Sequence, residues 1–333
     1  MKKIRIAVLD SGINRNAANS YLLKSIIGIY ELIEHKNYFD VRACGFEDLN
    51  GHGTACVTVI NHVCNNVEFI IVKILNCKGT CNVEALIAAL KFMTTLDVDL
   101  INMSVSLNDD AYSNEISLLV ETLYKQGKFI IASKSNDRCM SIPAQLRYVY
   151  GVKKFNGQCG LDYTFNSHKK INIICDGTPM LMPRGNIIPF FGGNSKATSL
   201  MTGIIAKHMS DEPLLGSIND LIYKYSKTEL HKYCPLIHQN KILDSTICNE
   251  FNYLAGKKDV YNHNMDISAV LNNSMICYNL IDLANEFFHK KMTDESFNAY
   301  DFTSIDAFLT KVDNLIINQE PQGKESYHEN WNC

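Results

Sequence analysis

Proline and glycine are scarce in this chain of 333 residues, with 7 and 18 copies. That scarcity excludes a collagen-like repeat and a long flexible linker. No apolar run approaches the roughly 20 residues a membrane-spanning helix needs, so no membrane partner is expected. Neither sign of charge prevails: 32 Lys and Arg stand against 35 Asp and Glu, a net charge of −3. Without a basic field, nothing argues for nucleic acid. The start Met1-Lys2-Lys3 is basic, but the apolar stretch 4–9 is too short for the core of a signal peptide. A cytoplasmic protein is therefore expected. What is present is 46% hydrophobic and 20% charged residues, the balance of a folded chain with one large domain, or a large and a small one. Cysteine is plentiful, 12 in all. Scattered through apolar segments, as at Cys175 and Cys248, these read as reduced, buried small hydrophobes. Cys77 and Cys81 have no second pair at zinc-ligand spacing, so they read as a turn, and no metal is expected.

Along the first two thirds, short Ile/Val-rich runs at 4–9, 69–74, 100–105, 129–132, 148–152 and 171–175 alternate with helical patterns at 52–64, 82–95, 113–126 and 195–209. Near-continuous apolarity is what parallel strands covered on both faces require. The alternation predicts a three-layer α/β domain over 1–210, with functional groups at the C-terminal ends of its strands. After about residue 210 the strand signals stop. Pro213 and Pro235 bracket a short helical pattern, read as a connection over 211–240. Leu280, Leu283, Ala284, Phe287 and Phe288, then Ile305, Phe308, Leu309, Val312 and Leu315, recur at helical spacing. A small all-α domain over 241–317 is expected, followed by a polar tail over 318–333.

Three motifs stand in the α/β part. Ile6-Ala7-Val8-Leu9-Asp10-Ser11-Gly12 is a strand ending in an acid and a glycine turn; Asn50-Gly51-His52-Gly53-Thr54 sets a histidine at a helix start; Gly192-Gly193-Asn194-Ser195-Lys196-Ala197-Thr198 carries a serine into a helix. Together they resemble the subtilisin-like serine peptidases, the subtilases. The resemblance implies that Asp10 orients the imidazole, His52 is general base and then acid, and Ser195 is the nucleophile. A serine hydroxyl needs an imidazole to take its proton, and the imidazole needs a carboxylate to hold its tautomer and stabilise its charged form. Ser199 also follows a threonine. Counted from Ser195, however, Gly193 lies two before, Ala197 two after and Gly203 eight after, as in the family, and Ser199 satisfies none of these. Asn194 stands where the family has Thr, and Ser199 where it has Pro.

By the same resemblance Asn136, at the end of Phe129-Ile130-Ile131-Ala132-Ser133-Lys134-Ser135-Asn136, is the side-chain donor to the oxyanion, joined by the backbone N–H of Ser195. Ser135 replaces a family glycine. The stretch 98–104 resembles the family's strand leading to its peptide-pairing edge, where an extended peptide adds by main-chain bonds. Ser104, Val105 and Ser106 with Ser133, Lys134 and Ser135 would wall the pocket for the residue before the cleaved bond. Lys134 either favours an acidic side chain there or points to solvent. No oxygen-rich acidic cluster of the calcium-binding type is apparent. Secreted subtilases carry a signal and a folding propeptide before the first strand, whereas here the strand begins at Ile4, in keeping with an intracellular enzyme.

The C-terminal part resembles an acyl carrier protein. Asn273-Ser274-Met275 stands for the carriers' Asp-Ser-Leu, the following helix ends in Phe287-Phe288, Met292-Thr293-Asp294 forms the turn, and Thr303-Ser304-Ile305-Asp306 opens the last helix. The resemblance implies phosphopantetheine attachment at Ser274; the plainer reading is a helix N-cap serine in a carrier-like bundle without the arm. No other cofactor is expected. The function expected is a serine endopeptidase that removes the leader of a ribosomally made, modified peptide, with the precursor as partner and possible docking to peptide-modifying enzymes through the carrier-like part. The alternatives are a non-catalytic peptide-binding scaffold and a general intracellular turnover protease.

Overall fold

The structure, a computed structural model, describes residues 3–36, 38–107, 112–135, 141–155, 157–212, 216–231, 243, 245–257 and 265–319. The chain divides into two compact units, Met1–Cys234 and Pro235–Cys333.

The first unit is built on a nine-stranded sheet. Its strands are β1 (Ile4–Asp10), β2 (Ile26–Glu34), β3 (Phe39–Ala43), β4 (Val67–Lys73), β5 (Leu100–Met103), β6 (Phe129–Ser133), β7 (Val149–Phe155), β8 (Tyr163–Phe165) and β9 (Ile173–Asp176). Their order across the sheet is β3-β2-β4-β1-β5-β6-β7-β9-β8. All neighbours are parallel except the edge pairs β2–β3 and β8–β9. The helices are α1 (Ser20–Ser25), α2 (His52–Val63), α3 (Val83–Met93), α4 (Ser113–Lys125), α5 (Gly193–Asp211) and α6 (Ile218–Tyr225). A short hairpin of β10 (Met180–Leu181) and β11 (Phe190–Phe191) precedes α5.

The two-residue period of β1 shows how the layers form. Ile6 and Val8 enter a core shared with α2, α5 and α6, while Ala7 and Leu9 enter a second core shared with α3 and α4. Both faces of the strand are thereby covered, which is why its sequence reads as one apolar run. All six expected strands and all four expected helices in this part are present. The edge strands β3 and β8, and β2 next to β3, lie outside the sequence expectation. Glu31 and Glu34 break up the apolar pattern of β2, and an edge hairpin with half-exposed faces leaves little periodic signal. The stretch 211–240, expected as a connection, contains α6, whose Ile218 and Ile222 lie in the first core; Tyr163 Oη donates to Ile222 O at 2.9 Å.

In the second unit the described elements are α7 (Ser245–Lys257), α8 (Ile267–Asn272), α9 (Ser274–Phe287), two short 3-10 turns and α10 (Ile305–Gln319). Phe251, Phe297, Phe302 and Phe308 are fully buried and pack ring against ring, some stacked and others tilted or edge-on, together with Phe287 and Phe288. No helix among the described residues is long and apolar enough to cross a membrane.

Candidate active site

Three elements of the first unit deliver the three motifs. Asp10 ends β1, the strand between β4 and β5, and is fully buried. His52 opens α2, and Ser195 is the third residue of α5. These two helices pack side by side in the first core, and Gly203 is what lets them approach: a Cβ there would lie 2.8 Å from Val63 Cβ and 3.0 Å from Ile60 O. Gly53 plays the same part between α2 and the turn after β1, where a Cβ would meet Gly12 O at 2.4 Å. Gly53 and Gly203 thus bring secondary elements together around the three motifs.

His52 Nδ1 lies 2.8 and 3.0 Å from the two carboxylate oxygens of Asp10. With Nδ1–H held by the carboxylate, Nε2 is left as the proton acceptor. Burial works against a charged imidazole, but the adjacent carboxylate of Asp10, reinforced by Cys56, outweighs it and holds the His52 pKa well above its ordinary 6.5. The ring packs edge-on against Phe191 at 5.2 Å between centroids. As a first-turn residue of α5, Ser195 has no carbonyl four residues back within the helix, so its N–H is available at the positive end of the helix dipole. Among the described residues the Ser195 hydroxyl takes no hydrogen-bond partner. Ser199 is fully buried, and its hydroxyl donates to Ser195 O at 3.1 Å, a bond within the helix.

The walls expected for the substrate pocket come together because β5 and β6 are parallel neighbours ending at the same edge. Ser104, Val105 and Ser106 follow β5; Ser133 ends β6, and Lys134 and Ser135 follow it. Leu107 and Ile142 pair across the two segments, and Ser135 N donates to Ser141 Oγ at 2.9 Å. Lys134 Nζ donates to Ser135 O at 3.1 Å. Asn136 lies outside the described residues.

Several residues that serve the site carry no signal in the sequence pattern. Asp48 is buried four residues before His52, and its Oδ1 accepts from Asn50 N and Gly51 N at 3.1 and 2.7 Å. Its Oδ2 accepts from Thr54 N at 2.9 Å and Thr54 Oγ1 at 2.6 Å. Burial opposes its charge, but the hydrogen bonds from Thr54 and Gly51 prevail and hold the carboxyl below the usual range. Asp48 thus pins the turn from which His52 projects, and only its place before the His-Gly-Thr motif hints at it. Cys56 lies one helical turn after His52, with its thiol 3.5 Å from Asp10 Oδ2, 3.8 Å from His52 Nδ1 and 3.6 Å from Ser104 Oγ. Burial pushes this thiol's pKa up. Asp10, His52 and Cys56 offer ligand atoms within 4.8 Å of one another, but Nδ1 is already held by Asp10, and an ion there would replace the bond that fixes the imidazole.

Cys77 and Cys81 lie at the turn where Asn76 N bonds Thr80 O at 3.0 Å, and both are free thiols. In the second unit Ser274 is the first residue of α9, half-buried, and Asn273 is the N-cap. The N-cap reading of Ser274 is therefore displaced by one residue.

The family model described as the Subtilase family matches residues 1–230. Minor extracellular protease Epr of Bacillus subtilis (strain 168) is 26% identical over 167 residues, 46% of this chain and 24% of that protein. Subtilisin DY of Bacillus licheniformis is 25% identical over 230 residues, 64% of this chain and 79% of that protein. The chain thus matches about a quarter of Epr's length and about four fifths of subtilisin DY's. A solved structure described as a cold adapted subtilisin-like serine proteinase superposes with a TM-score of 0.50 at 18% identity, covering 66% of this chain and 79% of that one, a likeness of fold. With the α/β architecture and the Asp10–His52 pair in place beside Ser195's helix, the chain belongs to the subtilase family of serine endopeptidases.

Proposed function

We propose that this protein is a serine endopeptidase that cuts an extended peptide with Asp10, His52 and Ser195, and that its substrate is the leader of a ribosomally made, modified peptide in the cytoplasm. The observation that carries the catalytic part is the fully buried Asp10 carboxylate bonded through both oxygens to His52 Nδ1, with Ser195 on the helix packed against that of His52. His52 takes the proton of Ser195 Oγ as the hydroxyl attacks the peptide carbonyl; the imidazolium is stabilised by Asp10 and then gives the proton to the leaving amine. The negative oxygen of the tetrahedral intermediate is met by Ser195 N–H and, by the family resemblance, by the Asn136 amide. The peptide lies along the segments 104–106 and 133–135, held by main-chain pairing.

The leader-peptidase reading rests on the carrier resemblance of the second unit, over 241–317. There Ser274 opens α9 as a half-buried residue, and the next residue, Met275, is 62% exposed, a placement that fits an attached arm. Phosphopantetheine would supply a flexible thiol on Ser274. Without the arm, the same bundle would serve as a docking module for peptide-modifying enzymes.

An active-site fluorophosphonate probe tests the catalytic part. Wild type labels and Ser195→Ala does not; labelling that survives the substitution, or an unlabelled wild type that still binds peptide, would leave a non-catalytic scaffold. Mass spectrometry of protein co-expressed with a phosphopantetheinyl transferase reads Ser274. Incubation with precursor peptides encoded beside the gene reads leader removal, and indiscriminate digestion of unfolded proteins would replace the leader reading with general turnover.

A further inference from the structure

The residue before the nucleophile is a buried asparagine, 5% exposed, where the family resemblance leads one to expect threonine. Its carboxamide faces two ways. Asn194 Nδ2 donates to Lys134 O at 2.9 Å and to Ser135 O at 3.4 Å, while Asn194 Oδ1 accepts from Lys154 N at 2.8 Å. Lys134 and Ser135 are the exit of β6, and Lys154 lies on β7. These strands run parallel up to Ser133 and Val152, and Lys134 N makes one more bond, to Val152 O at 2.8 Å. Beyond it the carboxamide fills the fork between them.

No other side chain of this length suits the place. It asks for a donor toward two carbonyls and an acceptor toward an amide in one short planar group. Aspartate has no donor there, threonine has a shorter reach and a single hydroxyl, and glutamine adds a methylene to a packed site. Covalent adjacency then gives the contact its meaning. Asn194 is one bond from Ser195, and the carbonyl it holds belongs to Ser135, one bond from Asn136.

We infer that Asn194 is a positioning residue: its carboxamide locks the start of the nucleophile helix to the end of β6, so that Ser195 and the strand exit at Lys134 and Ser135, from which the chain continues to Asn136, are held in one register. This rests on the proposed peptidase activity and on Asn136 as donor. The neighbour on the other side of the nucleophile is anchored as well, since the buried Lys196 Nζ bonds Asp176 Oδ1 at 3.1 Å and Asp176 O at 3.2 Å. Ser195 is thus held on both flanks while its own hydroxyl takes no partner among the described residues.

The test is a double-mutant cycle on the full chain, with a chromogenic peptide substrate and active sites counted by fluorophosphonate titration to completion. Asn194→Ala lowers kcat per site by about 10- to 100-fold with KM within about twofold, the size of effect a displacement near 1 Å produces. Asn136→Ala lowers kcat as well, and the double variant falls no more than about threefold below the worse single one, because both remove the same aligned donor. Losses that multiply overturn the lock, as does a raised KM with unchanged kcat. Wild-type kcat in Asn136→Ala overturns the oxyanion assignment and the lock with it, whereas labelling that survives Ser195→Ala strikes the peptidase reading itself. Should Asn194→Ala fail to fold, Asn194→Asp answers: it keeps the acceptor for Lys154 N and lacks the donor for Lys134 O, so its kcat falls while its melting temperature shows a folded protein, and wild-type kcat there refutes the inference.

Discussion

Replacing Asp48 by asparagine changes a few atoms and tests how His52 is held. The carboxylate accepts four hydrogen bonds, two on each oxygen, from Asn50 N, Gly51 N, Thr54 N and Thr54 Oγ1. In Asp48→Asn one oxygen becomes an NH2 that faces two of those donors. Two charge-assisted bonds are lost, and at least one backbone N–H is left buried without an acceptor. Hydrogen bonds to charged groups contribute about 1.5–3 kcal/mol each, and the hydroxyl of Thr54 can turn to recover part of the loss, so a net cost of about 3 kcal/mol is expected. For a unit of this size that lowers Tm by about 6–12 °C. Because His52 opens the helix that Asp48 pins, kcat per titrated site falls by about tenfold or more. The pH dependence follows from the lowered Asp48 pKa. A depressed carboxylate contributes stability that is complete above its unfolded value near 4 and is lost as pH falls through the folded value. The gap in Tm between wild type and variant is therefore full at pH 7 and narrows below about pH 4. Calorimetry across that range and peptide hydrolysis are the assays. A variant within about 2 °C and twofold of wild type at pH 7 would refute the idea that Asp48 holds the His52 turn.

Two further outcomes follow from the same geometry. The raised His52 pKa places the acid limb of kcat/KM above pH 6.5, and Asp10→Asn brings that limb down while lowering kcat steeply, read from pH–rate profiles; the pair's contribution to stability is present below pH 6.5 and disappears as pH rises through the folded value. Gly203→Ala puts a methyl 2.8 Å from Val63 Cβ, so it destabilises by about 1–3 kcal/mol in thermal melts and reduces kcat by separating α2 from α5.

Much of the site was legible in advance because each motif is local. An apolar run ending in Asp10, a histidine beside small residues and a serine between glycines and a helix are short patterns whose spacing reflects backbone demands. The parallel strands were legible for a related reason: burial on both faces erases polar interruptions, and β1 divides its side chains between two cores. The β2–β3 hairpin was not, since an edge with one exposed face admits Glu31 and Glu34. Asp48, Cys56 and Asn194 escaped as well. A buried carboxylate, thiol or carboxamide looks in one dimension like any surface polar residue or core cysteine, and its partners become visible only once the chain has folded. In the sequence Asn194 stands out only as a departure from the family pattern.

The residue order alone thus carried the Asp, His and Ser motifs of the proposed triad, their succession along the chain and the helical character of the C-terminal elements, because these depend on interactions within a few residues. The meeting of Asp10 with His52, 42 positions apart, and of Asn194 with Lys134, 60 apart, belongs to the fold. Sheet order, the shared edge of β5 and β6 and the close packing of α2 on α5 set those distances, and each arises from the summed burial of two cores rather than from any local stretch of sequence.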